Sequence, residues 1–353
     1  MASTRVIGLD IGATGVRAVE LEFGSGGPMG KNPPTLVRAG QVGLPVGAVR
    51  DGEVVQPETV SGALRQLWQQ TKFESKDVVI GVGNQRVIVR EMELPFMPAA
   101  HLRDSLPFQV GDSLPMSTED ALLDYYPTGE TTGPQGRMLQ GMLVAAQRDT
   151  VTANIVAVEG AGLRPVMVDL NGFALLRALT RGELSRATAA FVDIGATLTT
   201  VVIATQGVPR LVRALPTGGH HITNAVMSAC GVSAPEAEAL KREVGVGFAP
   251  APGRAEAVEA VSTVVRGLVE SVRNTFVYFA GTGLGQIDVV VLTGGGAHLP
   301  GLGQYLSSAS RLPATIGDPL AGLRWGKSAR RDVLGDQSSL IALPVGLAYG
   351  VAA

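Results

Sequence analysis

Cysteine is almost missing from this sequence. Cys230 stands alone among 353 residues, which excludes an intramolecular disulfide framework and a cysteine-built zinc site and fits a reducing compartment. An excess of either charge is missing as well. Lysine and arginine total 29 against 31 for aspartate and glutamate, so the chain as a whole presents no field that would draw a nucleic acid or anionic lipid. Nucleic acid is therefore not an expected partner. Long apolar runs are also lacking. The longest candidate, Leu340 to Ala353, is interrupted by Pro344 and spaced glycines, short of the ~20 apolar residues a membrane-spanning helix needs. The first ten residues include Arg5 and Asp10 and hold no signal-peptide core. A cytoplasmic location is expected, with no direct membrane insertion and any membrane role passing through a partner.

What is present is apolar substance and an internal echo. Hydrophobic residues make up 45% of the 353, enough for a large core, and the length favours two domains over one. The pentapeptide Asp-Ile-Gly-Ala-Thr occurs at Asp10–Thr14 and again at Asp193–Thr197. Each copy closes one β-rich run and opens another, Val16 to Phe23 in the first case and Leu198 to Thr205 in the second. Each therefore reads as a strand-turn-strand unit opening one half of the protein, with glycine expected where the turn needs positive φ.

Between the two copies the pattern changes twice. Pro57 to Thr71 places Val60, Leu64, Leu67 and Trp68 at helical spacing, and Val78 to Val82 reads as a buried strand. From Arg86 to about Ala161 prolines multiply, with a helix expected near Ala99 to Gln109 and strands at Ala121 to Tyr126 and Met138 to Ala146. That stretch reads as an insertion. After the second hairpin, His221 to Ala280 reads as helical and Ile287 to Leu292 as a strand running into Gly294-Gly295-Gly296. Gly24 to Pro34 and Thr128 to Gly136 are expected to be mobile loops, because glycine, proline and polar residues dominate them.

The chemistry lies in the echo. A magnesium nucleotide requires backbone N–H groups close to phosphate oxygens, small side chains that permit that approach, and carboxylates for a hydrated metal. Gly12, Ala13 and Thr14 would supply the amides from one half and Gly195, Ala196 and Thr197 from the other, with Asp10 and Asp193 facing each other across a cleft as metal-side carboxylates. A single copy would be ordinary turn chemistry, since Asp and Gly dominate turns. Two identical copies point to ATP and Mg2+. Gly294, Gly295 and Gly296 would let a purine and ribose lie against backbone.

Three decoys are set aside. Gly322 to Ser328 resembles a P-loop but has three residues where that motif has four before Gly-Lys-Ser. His220 and His221 lack the further ligands of a metal site, so a loop or helix-start role is expected. Arg324, Lys327, Arg330 and Arg331 read as a solvated loop face.

The two hairpins, the glycine triplet and the terminal stretch Ala342 to Gly350 resemble, in order and spacing, the phosphate, adenosine and connecting motifs of actin-like ATPases. Within that superfold the chain resembles the PilM family, the FtsA-like cytoplasmic protein of type IV pilus assembly. The likeness is carried by Gly8 to Ala13, Ala18 to Leu21, Glu93-Leu94-Pro95, Leu123-Asp124-Tyr125, Gly162 to Pro165, Phe173 to Ala178, Gly218-Gly219 with Ile222-Thr223, Glu236 to Arg242 and Leu292 to Ala297. It spans nearly the whole chain.

That resemblance implies an α/β, actin-like fold, RNase H-like and duplicated, with two domains and an inserted subdomain in each half. Residues 1–85 and 162–185 would form the first core, 86–161 an FtsA-like insertion, 186–220 and 281–353 the second core, and 221–280 a mainly helical subdomain. It implies that Glu238 and Lys241 touch ribose and adenine, on one helix face as their spacing of three allows; the spacing alone would equally suit an exposed ion pair. It places a polar residue that orients the attacking water at Asp169 or Asn171, and with Asp193 these complete the candidate catalytic set. Turnover is expected to be slow or negligible. The implied partner is the N-terminal cytoplasmic peptide of a PilN-like bitopic membrane protein, with a PilO-like protein and the pilus assembly ATPase reached through the complex and self-association as a further expectation. The chain stops after the last connecting helix, so it is expected to lack the amphipathic membrane helix of FtsA. A sugar kinase of the same superfold is the alternative from another class, but it needs a general base beside a polar sugar pocket, and no residue here suggests one. FtsA-like filament formation is the other.

Overall fold

The computed structural model describes residues 4–27, 30, 32–133, 136–249, 252–329 and 338–350. The first hairpin is β1 (Thr4–Gly12) and β2 (Gly15–Phe23), followed by β3 (Thr35–Gly43), the short pair β4 (Val49–Arg50) and β5 (Glu53–Val54), α1 (Pro57–Thr71) and β6 (Asp77–Val82). β7 (Val87–Pro95), α2 (Ala99–Val110), β8 (Ala121–Gly133), β9 (Gly136–Gln147) and α3 (Arg148–Gly160) come next, then β10 (Arg164–Leu170) and α4 (Asn171–Leu179). The second half runs β11 (Thr188–Ile194), β12 (Thr199–Thr205), β13 (Val208–Leu215), α5 (Gly219–Cys230), α6 (Ala234–Val244), α7 (Ala255–Gly281), β14 (Val289–Thr293), α8 (Leu302–Ser310), β15 (Ala314–Ile316), β16 (Arg324–Trp325) and α9 (Ala342–Ala348).

The internal echo is a duplication of topology. The first sheet has the order β10-β6-β1-β2-β3-β16 and the second β13-β12-β11-β14-β15. In each, a meander of three antiparallel strands (β1-β2-β3, β11-β12-β13) continues on the other side of its first strand through two parallel strands, β6 and β10 or β14 and β15. This is the duplicated actin-like α/β plan. β7, β9 and β8 form a separate three-stranded sheet with α2 on it. Within Thr128 to Gly136, expected as a loop, the described residues instead extend that ladder: β8 runs to Gly133, which pairs with Gly136 of β9, and residues 134 and 135 lie outside the described residues. Cross-strand pairing supplies backbone partners that composition does not foretell. The other expected loop, Gly24 to Pro34, falls partly on residues 28, 29 and 31, outside the described residues.

Period-two alternation sorts each strand between two layers. Ile7 and Leu9 of β1 point to α1 and α3, whereas Val6 joins Val19 and Leu21 of β2 in a central layer. Phe191, Val202 and Ala204 of the second sheet enter that same layer, while Val192, Val201 and Ile203 face α5 and α7. α4 and α9 fill the space between the sheets, contributing Ala174, Leu175, Val345 and Leu347, all fully buried. Each such Val or Leu side chain removed from water contributes about 1.5–3 kcal/mol. The fit is closest at backbone level: a Cβ on Gly8 would meet the Pro344 carbonyl oxygen at 2.0 Å. α3, although within 86–161, packs on α1, with the Ser61 hydroxyl donating to the Ala157 carbonyl at 2.7 Å.

A candidate nucleotide cleft

The two hairpin turns open into one cavity of about 860 Å³. Asp10, near the end of β1, and Asp193, near the end of β11, both line it, as do Gly12, Ala13 and Thr14 from the first turn and Gly195, Ala196 and Thr197 from the second. The glycines do not adopt the positive φ expected of them. Close approach is what requires them: a Cβ on Gly195 would stand 2.9 Å from the Leu198 carbonyl oxygen, and one on Gly15 2.7 Å from that of Val42. Hairpin pairing also decides which donors the second turn has free. The Gly195 N–H donates to the Leu198 carbonyl at 2.9 Å, so the amides left for an anion on that side are those of Ala196 and Thr197.

Burial dominates the electrostatics of the floor. It pushes the Asp193 carboxyl up to about 7, helped by the negative charge of Asp10 and opposed by Arg17. Asp10 is raised for the same first reason, with Arg17 pulling it back. Arg17 Nη1 lies 3.4 Å from Asp10 Oδ2, and its Nε is buried without a hydrogen-bond partner. A floor of two desolvated carboxylates beside an under-satisfied guanidinium has the donor set for a divalent cation and an anion. Among the described residues no cluster of three His, Cys, Asp or Glu is built to hold a metal by itself. Magnesium suits this set, since it keeps several waters and takes one or two carboxylates with phosphate oxygens.

The opposite wall comes from α5, α6 and the glycine triplet. Ser233 caps α6, its amide bonding Glu236 Oε2 at 2.9 Å, and Pro235 fixes the first turn. That start orients Glu238 and Lys241 into the cavity on one face. The Lys241 ammonium, buried, reaches Glu238 Oε2 at 2.5 Å, Thr223 Oγ1 at 3.0 Å and the Gly219 carbonyl at 3.3 Å. Burial would raise the Glu238 carboxyl, but hydrogen bonds from Lys241, Thr223 and Arg242 hold it below the usual range. The pair is thus neither free nor an exposed surface bridge. Gly294, at φ 80°, turns β14 into a short 3-10 segment, Gly295–His298, against the hairpin. A Cβ on Gly294 would meet Asp193 Oδ1 at 2.5 Å, and all three glycines line the cavity.

A family model described as "Type IV pilus assembly protein PilM" matches residues 8–350. The chain belongs to the PilM family. Among solved structures, one titled as a PilM-PilN type IV pilus biogenesis complex is similar over 97% of both chains, with a TM-score of 0.83 and 26% identity. The ethanolamine utilization protein EutJ from Carboxydothermus hydrogenoformans aligns at TM-score 0.57 and 17% identity, over 99% of this chain and 90% of that one. MreB5 of Spiroplasma citri bound to AMPPNP aligns at 0.53 and 13%, over 98% of this chain and 95% of that one. These last two likenesses speak for the actin-like fold alone.

Not every residue singled out in this PilM-family sequence reaches the cleft. Asp169 does not line it: Arg177 Nη2 donates to its Oδ2, and the Leu170 amide to its Oδ1 at 2.7 Å. Strand alternation in β10 turns it toward α4 and the end of α9. Asn171, two residues on and first in α4, does line the cavity. Room for its side chain comes from Gly81 and Gly83, where a Cβ would stand 2.0 Å from Asn171 Oδ1 and 2.8 Å from its Cβ. Arg17 went unremarked in the sequence, and so did the role of His220, which lines the cavity while His221 accepts a hydrogen bond from the Gly218 amide at 3.1 Å. The signal for Arg17 was there: it stands three residues beyond the first pentapeptide, on the strand that returns from the turn. Arg324 sits in β16 at the edge of the first sheet, and Arg330 and Arg331 lie outside the described residues.

Proposed function

We propose that this PilM-family chain is an ATP-binding adaptor of the type IV pilus inner-membrane platform, whose cleft holds Mg-ATP. The observation that carries the reading is the pair Asp10, buried, and Asp193, half-buried, both lining one cavity from two duplicated hairpins. Magnesium, when bound, neutralises charge on the phosphates. Asp10 and Asp193 hold its water shell, the amides of the two turns and Arg17 meet phosphate oxygens, Glu238 and Lys241 take the ribose and base edge, and Gly294, Gly295 and Gly296 lie against the adenosine. Asn171 is the residue placed to orient a water. Turnover is expected to be slow or negligible, since hydrolysis needs that water held in position.

The adaptor role is supported by the family and by the PilM-PilN title of the 26% identical structure. The first core (1–85 and 162–185) and the insertion (86–161) take the cytoplasmic N-terminal peptide of a PilN-like membrane protein, and through that complex the chain meets a PilO-like protein and the assembly ATPase. Among the described residues no helix is long and apolar enough to cross a membrane, and attachment to the inner face of the cytoplasmic membrane runs through these partners. The test is a pull-down with a PilN-like N-terminal peptide, with and without Mg-ATP. Retention of the chain that rises with nucleotide is expected; absence of retention in both conditions would overturn the adaptor reading.

A further inference from the structure

His220 lies in the wall of the cleft with no task in the fold. Its neighbour His221 is accounted for by the hydrogen bond from Gly218 at the start of α5. The His220 backbone N–H ties it to the second phosphate-side turn by donating to the Ala196 carbonyl at 2.7 Å. Its half-buried ring lines the cavity, and neither ring nitrogen has a partner among the described residues. His220 thus shares the cavity with Ala196, which its backbone bonds, and with Lys241, whose charge it feels, the two regions read above as holding phosphate and ribose.

We propose that His220 is a nucleotide-contacting residue whose protonation tightens the grip on the polyphosphate, making ATP binding pH-dependent. The inference rests on the reading of the cleft as a nucleotide site. The charged groups around His220 are Lys241, Glu238 and Arg242 on α6 and His221 on its own helix, with Asp10, Asp193, Arg17 and His298 across or along the same cavity. Burial and then Lys241 hold the imidazole below its ordinary range, Glu238 opposing them. A bound polyphosphate supplies negative charge that reverses this and raises it. A group whose bound-state value exceeds its free-state value strengthens binding at low pH, and that gain fades as pH rises through the bound-state value.

The test measures ATP affinity by fluorescence of a labelled nucleotide from pH 5.5 to 8 for the wild type, His220→Gln and His220→Lys. Asp193 titrates in the same window in all three proteins, so the ratio of wild-type to His220→Gln affinity isolates the histidine. That ratio is expected to grow about tenfold toward pH 5.5, the equivalent of a one-unit rise in the imidazole on binding. His220→Lys, with a fixed charge, is expected to bind tightly relative to His220→Gln throughout the range. Proton NMR of the histidine C–H resonances, which needs no variant to fold beyond the one used for assignment, is expected to show His220 titrating at higher pH once ATP is added. A constant ratio and an unmoved resonance, with ATP still bound, would overturn the role of His220 and leave the nucleotide reading intact. No ATP binding by the wild type at any pH would overturn both.

Discussion

At the scale of single residues the cleft is held at a cost, and pH reveals it. The Asp193 carboxyl rises from 3.8 to about 7 because burial disfavours its charge. Its neutral form is thus favoured by folding: below pH ~4 both states are protonated and no penalty exists, and stability falls as pH climbs from ~4 to ~7. Asp193→Asn is accordingly expected to melt a few degrees above the wild type at pH 8, and at the same temperature near pH 4, in calorimetric scans without nucleotide. Lys241→Ala should act in the opposite direction. It removes a buried ammonium from Glu238, Thr223 and Gly219, and a loss of about 1–3 kcal/mol in denaturant unfolding is expected, moderated because Arg242 still bonds Glu238. How far such residues could be read beforehand depended on repetition. Asp10 and Asp193 stood out because their pentapeptide occurs twice, and Glu238 with Lys241 because a family pattern spans them. Asp169 and Asn171 were indistinguishable in sequence, since only the register of β10 and the start of α4 decide which one meets the cleft. Arg17 stands close to the first pentapeptide, its partner Asp10 only seven residues away, whereas His220 carried no local signature, because Lys241 and Glu238 beside it lie far along the chain.

At the scale of elements, periodicity was informative and glycine was ambiguous. α1 begins and ends where Pro57 and the apolar spacing place it, its C-cap Lys72 in the left-handed region at φ 58°. Turn glycines suggested positive φ, whereas the hairpins use their lack of a side chain to let backbones approach. Gly294 requires both, with φ at 80° and Asp193 Oδ1 2.5 Å from a would-be Cβ. Gly294→Ala is expected to displace the Asp193 carboxylate and lower Mg-ATP affinity at least ~10-fold by titration calorimetry. Gly346, on α9, faces the Ala174 carbonyl oxygen of α4, which a Cβ would meet at 1.8 Å. Gly346→Ala forces the two central helices apart, and a stability loss of about 3 kcal/mol or more is expected from chemical denaturation.

At the scale of the molecule, the duplicated sheets, the helices between them and the inserted sheet make contacts that bind the halves into one structure. Phe173, two residues after the cleft residue Asn171, meets Tyr126 of the inserted sheet with ring centroids 4.9 Å apart and planes tilted, and Val212 of β13 packs into the small apolar cluster that holds Phe173. A change at the start of α4 on nucleotide binding would therefore be felt by the insertion. Tyr126→Ala is expected to leave ATP affinity unchanged while removing the effect of ATP on capture of a PilN-like peptide, as measured by peptide fluorescence anisotropy. This contact was invisible in sequence, because Tyr126 and Phe173 belong to different segments and meet only in the folded chain.

The most direct test of the cleft itself is calorimetric titration of Mg-ATP into the wild type and into Asp193→Ala. One site per chain in the wild type and a loss on the order of tenfold or more in the variant are the expected results. Equal affinity in the two proteins would contradict the assignment of the paired hairpins as a magnesium-nucleotide site.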